Sequence, residues 1–263
     1  ESKVFIVTGG GSGLGRELVL NLLNRGAKVA AVDFKQSALQ ETLDSAGDLS
    51  ANLSTHLMDI TDRAAVDALS QKVIKIHGQV DGLINNAGII QPFVPVNDLD
   101  FGNIERIINV NFYGSLNFVK AFLPHLLKRP AAKIVNISSM GGFFPFPGQS
   151  IYGASKAAVK LMTEGLYAEL LDTMVEVMAV FPGALSTNIA ANSGVKIKGS
   201  ASSSNNKIPA LSPKLAAEAI VKAIIGRKLH LYVGKDSKFM NLFYKLAPKT
   251  AIRFISKKMK NLL

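Results

Sequence analysis

Strand-like and helix-like stretches alternate along most of this chain, and that alternation constrains the fold more than any single residue. "KVFIVTGG" (Lys3–Gly10) is an apolar run with β-branched residues that ends in glycines, and it reads as a buried parallel strand. An amphipathic helix at about Gly13–Arg25 follows, then a second strand at Lys28–Phe34. A helix near Gln36–Ala46 leads to strand Leu53–Ile60, and a helix at Asp62–His77 leads to strand Val80–Gly88. A long helix over about Leu99–Leu127 precedes strand Ala132–Ser139, and a helix from about Ile151 to Leu171 precedes strand Met174–Gly183. Each right-handed crossover between parallel strands lays its helix on the sheet. Six such strands therefore predict an α/β protein, a doubly wound parallel sheet with helices on both faces.

The alternation breaks once. Residues 187–209 contain "GSASSSNN" (Gly199–Asn206), a Ser/Asn-rich insertion expected to be flexible. A helix at Ser212–Gly226 and a seventh strand at Leu229–Gly234 then resume the pattern. The expected organisation is one domain over residues 1–236 and a basic, amphipathic helical tail over residues 237–263.

Charge is distributed as unevenly as that division suggests. Residues 1–186 carry 15 basic and 17 acidic side chains, whereas residues 187–263 carry 15 basic and 2 acidic. A nucleic-acid binder that is basic throughout is not built this way, and no recognised binding motif accompanies the charge, so no nucleic-acid partner is expected. The chain has no cysteine, which excludes disulfides, thiol catalysis and thiolate metal sites. Its four histidines, His56, His77, His125 and His230, form no ligand-spaced pair, so no metal is expected. No apolar run approaches the ~20 residues that span a bilayer. No signal-peptide pattern precedes the first strand, and a cytoplasmic protein is expected.

"TGGGSGLG" (Thr8–Gly15) lies between the first strand and the first helix, where a phosphate-cradling turn belongs. Glycines let the backbone turn tightly and approach a pyrophosphate, and the helix N-terminus offers free N–H groups. The spacing of Gly9, Gly13 and Gly15 is TGxxxGxG, which resembles the opening of the short-chain dehydrogenase/reductase family. That resemblance implies a seven-stranded Rossmann fold in which Gly9, Gly11, Ser12, Gly13 and Leu14 form the cofactor turn. Asp33, 18 residues after Gly15, closes the second strand. A carboxylate there accepts hydrogen bonds from the adenosine ribose and repels a 2′-phosphate. The family's common basic positions hold Ser12 and Phe34, so NAD(H) is preferred and NADP(H) is second, with Lys35 weakening the case slightly. Asp59 and Ile60 resemble the family's adenine-contacting pair, although a helix N-cap is the ordinary reading of Asp59 alone. "NNAG" (Asn85–Gly88) resembles its structural motif, with Asn85, Ala87 and Gly88 expected to line the groove.

The stretch "SIYGASKAA" (Ser150–Ala158) puts Tyr152 and Lys156 four residues apart on one helical face. With 5 tyrosines and 23 lysines in 263 residues, roughly 0.4 such pairs arise by chance, so the spacing alone is weak. The family's remaining catalytic positions supply the context. "NVNFYG" presents Asn111, and "ISSMGG" presents Ser138 and Ser139, of which the family's 13-residue spacing to tyrosine selects Ser139. "PGALST" (Pro182–Thr187) resembles the segment that holds the nicotinamide carboxamide, through Pro182, Gly183, Leu185 and Thr187. These motifs span about residues 3–187 in the family's order, and together they imply catalysis by Asn111, Ser139, Tyr152 and Lys156. Tyr152 then exchanges a proton with an alcohol or carbonyl while hydride moves to or from the nicotinamide. Lowering the phenol's pKa by ~2–3 units takes ~3–4 kcal/mol, and an ammonium at ~4 Å supplies about that much at an effective dielectric of 20. Lys156 also contacts the nicotinamide ribose in this scheme, and Asn111 anchors a water that relays protons.

The substrate expected is a lipophilic alcohol, ketone or aldehyde. Phe143, Phe144 and Phe146 lie between Ser139 and Tyr152 and are candidates to wall its pocket, with core packing as the alternative. The insertion at about 187–210 occupies the family's substrate lid. The resemblance also implies a homodimer or homotetramer, paired through the long helix and the Tyr-bearing helix, where Phe112, Leu116, Phe118 and Leu166 are apolar. In the tail, Phe239, Leu242, Phe243 and Leu246 share one helical face, and Ile252, Ile255, Met259 and Leu262 another. These faces either pack on the domain or lie on an anionic membrane as a peripheral contact. Two alternatives to a soluble enzyme stand: a lipid-associated protein dominated by its tail, and an NAD-binding scaffold without turnover.

Overall fold

Strand β1 (Val4–Thr8) alternates its side chains between two cores: Phe5 and Val7 enter one, and Ile6 the other. A strand buried on both faces must be covered on both, and the rest of the chain does this. The computed structural model describes residues 2–195 and 210–260. After β1 come α1 (Gly13–Asn24), β2 (Lys28–Asp33), α2 (Gln36–Ala46), β3 (Leu53–Leu57), α3 (Arg63–His77) and β4 (Gly82–Asn85). Then follow α4 (Phe101–Ile108), α5 (Gly114–Leu126), β5 (Ala132–Ile137), α6 (Ser150–Glu169) and β6 (Val175–Pro182). The chain continues through α7 (Ile189–Asn192), α8 (Pro213–Ile224), β7 (His230–Val233), α9 (Lys235–Leu246) and α10 (Pro248–Met259).

The seven strands run parallel in the order β3-β2-β1-β4-β5-β6-β7, a doubly wound Rossmann sheet. Chain direction across the sheet reverses between β1 and β4, which opens a crevice at their carboxyl ends. On one face, α1, α2 and α8 bury Leu18, Leu22, Leu39, Ile220 and their neighbours against the strands. On the other, α3, α5 and α6 bury Val66, Leu69, Phe118, Phe122 and Leu166. Of the four apolar residues considered for a subunit interface, some of which had to face the sheet, Phe118 and Leu166 do so. Exposed apolar residues on or beside those helices include Phe101, Tyr113, Leu127, Leu161, Tyr167 and Leu171.

The long helix expected over Leu99–Leu127 is divided. Between α4 and α5, Asn109–Tyr113 forms a single π turn, an extra residue in the helical winding. No sequence periodicity reports one inserted residue. The N-cap of α3 is Asp62, whose Oδ1 accepts the Ala65 N–H at 3.0 Å, so Asp59 is free of that duty.

The tail forms α9 and α10, and α9 begins before the expected boundary at residue 237. Ser237 Oγ donates to the Phe181 carbonyl at 2.7 Å, and Asp236 Oδ2 accepts the Ala184 N–H at 2.7 Å. Met240, Ala251 and Ile255 are buried with Phe144 in a third, smaller core. Of the insertion, residues 196–209 lie outside the described residues, and so does Leu262 of the tail.

Candidate active site

The crevice holds a cleft of ≈ 440 Å³ whose floor is the turn after β1. Gly9 has φ +67°, and a Cβ on Gly15 would fall 1.9 Å from the Gly9 carbonyl oxygen, so the first turn of α1 rises directly off the turn. Ser12, the N-cap of α1, makes no side-chain capping bond, which leaves the first N–H groups of α1 to the cleft. Uncapped N–H groups beside a close-approaching backbone fit a pyrophosphate.

Asp33 closes β2 at one end of the cleft and is buried. Its Oδ2 accepts the Gly11 N–H at 3.0 Å and its Oδ1 the Lys35 N–H at 3.1 Å, so the carboxylate is oriented before any ligand arrives. Gly11 therefore serves the cleft through Asp33 and does not line it. Phe34, Asp59, Ile60, Ser12, Gly13 and Leu14 all line it. Lys35 lines it too, its ammonium 5.6 Å from the centre of the Phe34 ring and 3.4 Å from Asn192 Oδ1. Asp59 Oδ1 accepts both the N–H and the hydroxyl of Thr61 at 2.8 Å, a local turn that sets the rim.

One expected wall residue faces elsewhere. Asn85 lies beneath the cleft, its Nδ2 donating to Asn136 Oδ1 at 2.9 Å and to the Ser115 carbonyl at 3.2 Å. Side chains alternate along β4, so Asn85 points into the layer below and the wall falls to Asn86, Ala87 and Gly88. Thr8 Oγ1 accepts the N–H groups of Asn86 and Ala87 at 2.9 and 3.0 Å, binding that wall to β1.

Ser138, Ser139, Tyr152 and Lys156 meet at the other end of the cleft, with Pro182, Gly183, Leu185 and Thr187 opposite. The two serines divide their work. Ser138 Oγ donates to the Lys156 carbonyl at 2.7 Å and fastens α6 to β5, whereas Ser139 stays at the cleft. Lys156 is buried, and its Nζ donates to the Ile137 carbonyl at 3.0 Å. Burial pushes its ammonium down to a pKa of about 8. Burial also raises the Tyr152 phenol, and the hydrogen bond from Ser139 only partly opposes this. In the chain without cofactor the Tyr152 phenol is therefore raised, and Lys156 Nζ is held by the Ile137 carbonyl.

Asn111 is fully buried just behind this group. Its Oδ1 accepts the Ile89 N–H at 2.8 Å, and its Nδ2 donates to the Ile89 carbonyl and to Ser155 Oγ, both at 2.9 Å. The π turn puts it there, and Ser115 Oγ takes up the Asn111 carbonyl at 3.0 Å. A Cβ on Gly88 would sit 3.0 Å from Lys156 Nζ and 3.2 Å from Asn111 Oδ1, so both groups border the space over Gly88.

Two residues here escaped the sequence reading. Ser155 links Asn111 to the Tyr152 carbonyl, to which its hydroxyl donates at 2.7 Å. Gln91, fully buried, accepts the N–H groups of Ile151 and Tyr152 on Oε1 at 2.9 Å and donates to the Gly148 carbonyl at 2.8 Å. Gln91 therefore caps the helix that carries the tyrosine. No local signal marks it, since cap and helix are far apart in sequence.

The aromatic residues expected to wall a substrate pocket are elsewhere. Phe144 packs on Tyr244 of α9, with ring centroids 5.6 Å apart, and Phe143 packs on Phe181 and Tyr232. Core packing claims Phe143 and Phe144, and the cleft itself takes apolar lining from Ile89, Ile90, Val110 and Ile189. Among the described residues there is no group of three or more His, Cys, Asp or Glu that could hold a metal.

A family model for short chain dehydrogenases matches residues 3–197. The chain belongs to the short-chain dehydrogenase family. It is 36% identical over 262 residues to the protein SadH of Mycobacterium tuberculosis, covering 97% of this chain and 95% of that one. The fold is similar to a Burkholderia phymatum family member in complex with NAD, at 25% identity and a TM-score of 0.82, covering 94% of this chain and 95% of that one. A Burkholderia cenocepacia short chain dehydrogenase in complex with NADP is similar at 28% identity and a TM-score of 0.81, covering 97% and 98%. Membership makes this chain an oxidoreductase with a nicotinamide dinucleotide cofactor, and the groove's uncapped helix terminus and close-approach glycine fit that group.

Proposed function

We propose that the protein interconverts a lipophilic secondary alcohol with its ketone, or a primary alcohol with its aldehyde, using NAD(H). The convergence of Ser139, Tyr152 and Lys156 at one end of the cleft, opposite Pro182–Thr187, carries this reading. Asp33 would hold the adenosine of the dinucleotide and Pro182–Thr187 its nicotinamide, and the group would supply the hydride acceptor or donor.

In the carbonyl-reducing direction the neutral phenol of Tyr152 gives its proton to the substrate oxygen as hydride reaches the carbon, which balances the two-electron reduction. Burial keeps the phenol protonated and so able to donate, and fast transfer needs its pKa brought down toward the working pH. Ser139 donates to the same oxygen and fixes its position. In the reverse direction Tyr152 must accept a proton as phenolate, and the ammonium of Lys156 then stabilises the anion. Asn111 and Lys156 border the space over Gly88, where a proton can pass between the lysine and a water. Asp33 supports NAD(H) over NADP(H), because a fixed carboxylate opposes a 2′-phosphate more than the exposed Lys35 offsets it. Ile89, Ile90, Val110 and Ile189 support an apolar substrate. We read the assembly as a homodimer or homotetramer formed through the faces that expose Tyr113, Leu161 and Tyr167.

A cofactor-fluorescence screen of alcohols, aldehydes and ketones tests the reading. Tyr152→Phe should bind NADH as the wild type does while its kcat falls by about 10²–10⁴-fold. Wild-type turnover in that variant would overturn the mechanism.

A further inference from the structure

Helix α9 carries apolar residues on two opposite sides. The inner side holds Ser237 and Met240, both buried, and Tyr244 against Phe144. On the outer side Phe239, Leu242 and Leu246 are 59%, 58% and 76% exposed. At about 100° per residue these three fall within roughly 60° of one another and about half a turn from Ser237. Packing on the domain explains one side of the helix and leaves the other unexplained.

The outer stripe continues onto α10. The ring of Phe239 lies 5.7 Å from that of Phe243, and Phe243 lies 5.9 Å from Phe254, itself 40% exposed. Cations surround the stripe. After Asp236 the chain has seven basic residues and no acidic one. Among the described residues, none of the seven enters an ion pair. Lys258 Nζ sits 5.0 Å from the centre of the Phe254 ring.

We propose that this face docks on an anionic lipid surface, with α9 and α10 lying in the plane of the interface. Phe239, Leu242 and Leu246 enter the acyl boundary, and the lysines meet the headgroup phosphates. Neither helix is long and apolar enough to cross a membrane, so the contact is peripheral. Charge decides between occupants. A second copy seated on the same face would oppose seven cations to seven cations with no acid to pair them, whereas anionic lipid complements both the charge and the apolar stripe. The inner side of α9 rests on Phe144, in the loop between Ser139 and Tyr152, so docking places the catalytic loop close to the bilayer.

Sedimentation of the full chain with vesicles tests this. Binding to phosphatidylcholine mixed with phosphatidylglycerol should exceed binding to phosphatidylcholine alone by about tenfold or more, and should fall in high salt. The triple variant Phe239→Ser, Leu242→Ser, Leu246→Ser changes only exposed side chains and should keep NADH affinity and melting temperature while losing about tenfold in vesicle binding. A second variant, Lys245→Glu with Lys249→Glu and Lys257→Glu, should lose the preference for anionic vesicles. Equal binding to both vesicle types, or undiminished binding by both variants, would overturn the proposal. So would a smaller oligomer for the triple variant by light scattering, since the stripe would then be a contact between copies.

Discussion

Gln91 Oε1 accepts the backbone N–H of Tyr152 at 2.9 Å, so a residue 61 positions upstream holds the helix turn that aims the phenol. Gln91→Met removes that acceptor and leaves the N–H groups of Ile151 and Tyr152 buried without a partner. The expected result is a kcat lower by about tenfold to a hundredfold, with the Kd for NADH changed less than about twofold. Steady-state kinetics beside a fluorescence titration checks it, and an unchanged kcat would show that the cap only stabilises.

The Lys156 ammonium, pushed down to about 8 by burial, should titrate within reach of ordinary buffers. As pH rises through 8 the ammonium that the proposed mechanism sets beside the nicotinamide ribose loses its charge, so dinucleotide binding should weaken above that pH. Lys156→Met should bind more weakly at neutral pH and show no such inflection. A wild-type Kd that stays flat to pH 9.5 would remove this lysine from cofactor binding.

Cofactor choice should follow Asp33. Titration should find NADH bound more tightly than NADPH, and Asp33→Ala should narrow the gap by about tenfold, the scale of one charge–charge contact near a protein surface. Equal wild-type affinities would mean that Lys35 pairs with the phosphate.

Acid should weaken the fold before it titrates the carboxylates. Burial, with Lys72 and His77 adding to it, lowers the pKa of His56 from 6.5 to about 4. Between those values the unfolded chain takes up a proton that the folded chain refuses, so stability falls as pH drops through that window. The loss from pH 7 to pH 5 should be about 1–2 kcal/mol. Urea unfolding at the two pH values measures it, and His56→Leu should flatten the dependence.

Ile255 is 5% exposed in the small core that joins α10 to Phe144. Ile255→Ala should cost about 2–4 kcal/mol, read as a lower melting temperature. A cost under ~0.5 kcal/mol would mean that the tail contributes little to the fold.

The strands and helices were legible because burial on both sheet faces leaves continuous apolar runs such as Val4–Val7 and Val29–Val32. Tyr152, Lys156, Ser139 and the glycine turn, which the fold brings to one cleft, could be singled out because the spacings that mark them lie along single segments. The π turn at Asn109–Tyr113 was not, since one extra residue per helix leaves the apolar pattern intact. The position of Asn85 was also missed: the motif names four residues, but where β4 ends decides which of them face the groove.

By itself the sequence determined the alternating fold and the family, and it put forward the glycine turn, serine, tyrosine and lysine that the fold brings to one cleft, because each is written in local order. Tertiary structure alone decided that Gln91 and Ser155 brace the tyrosine, that Phe144 serves the tail, and that α9 hides one apolar face while exposing another. Those outcomes depend on contacts between segments tens of residues apart. Two faces of one helix look equally apolar in a sequence, and only the packing partner distinguishes them.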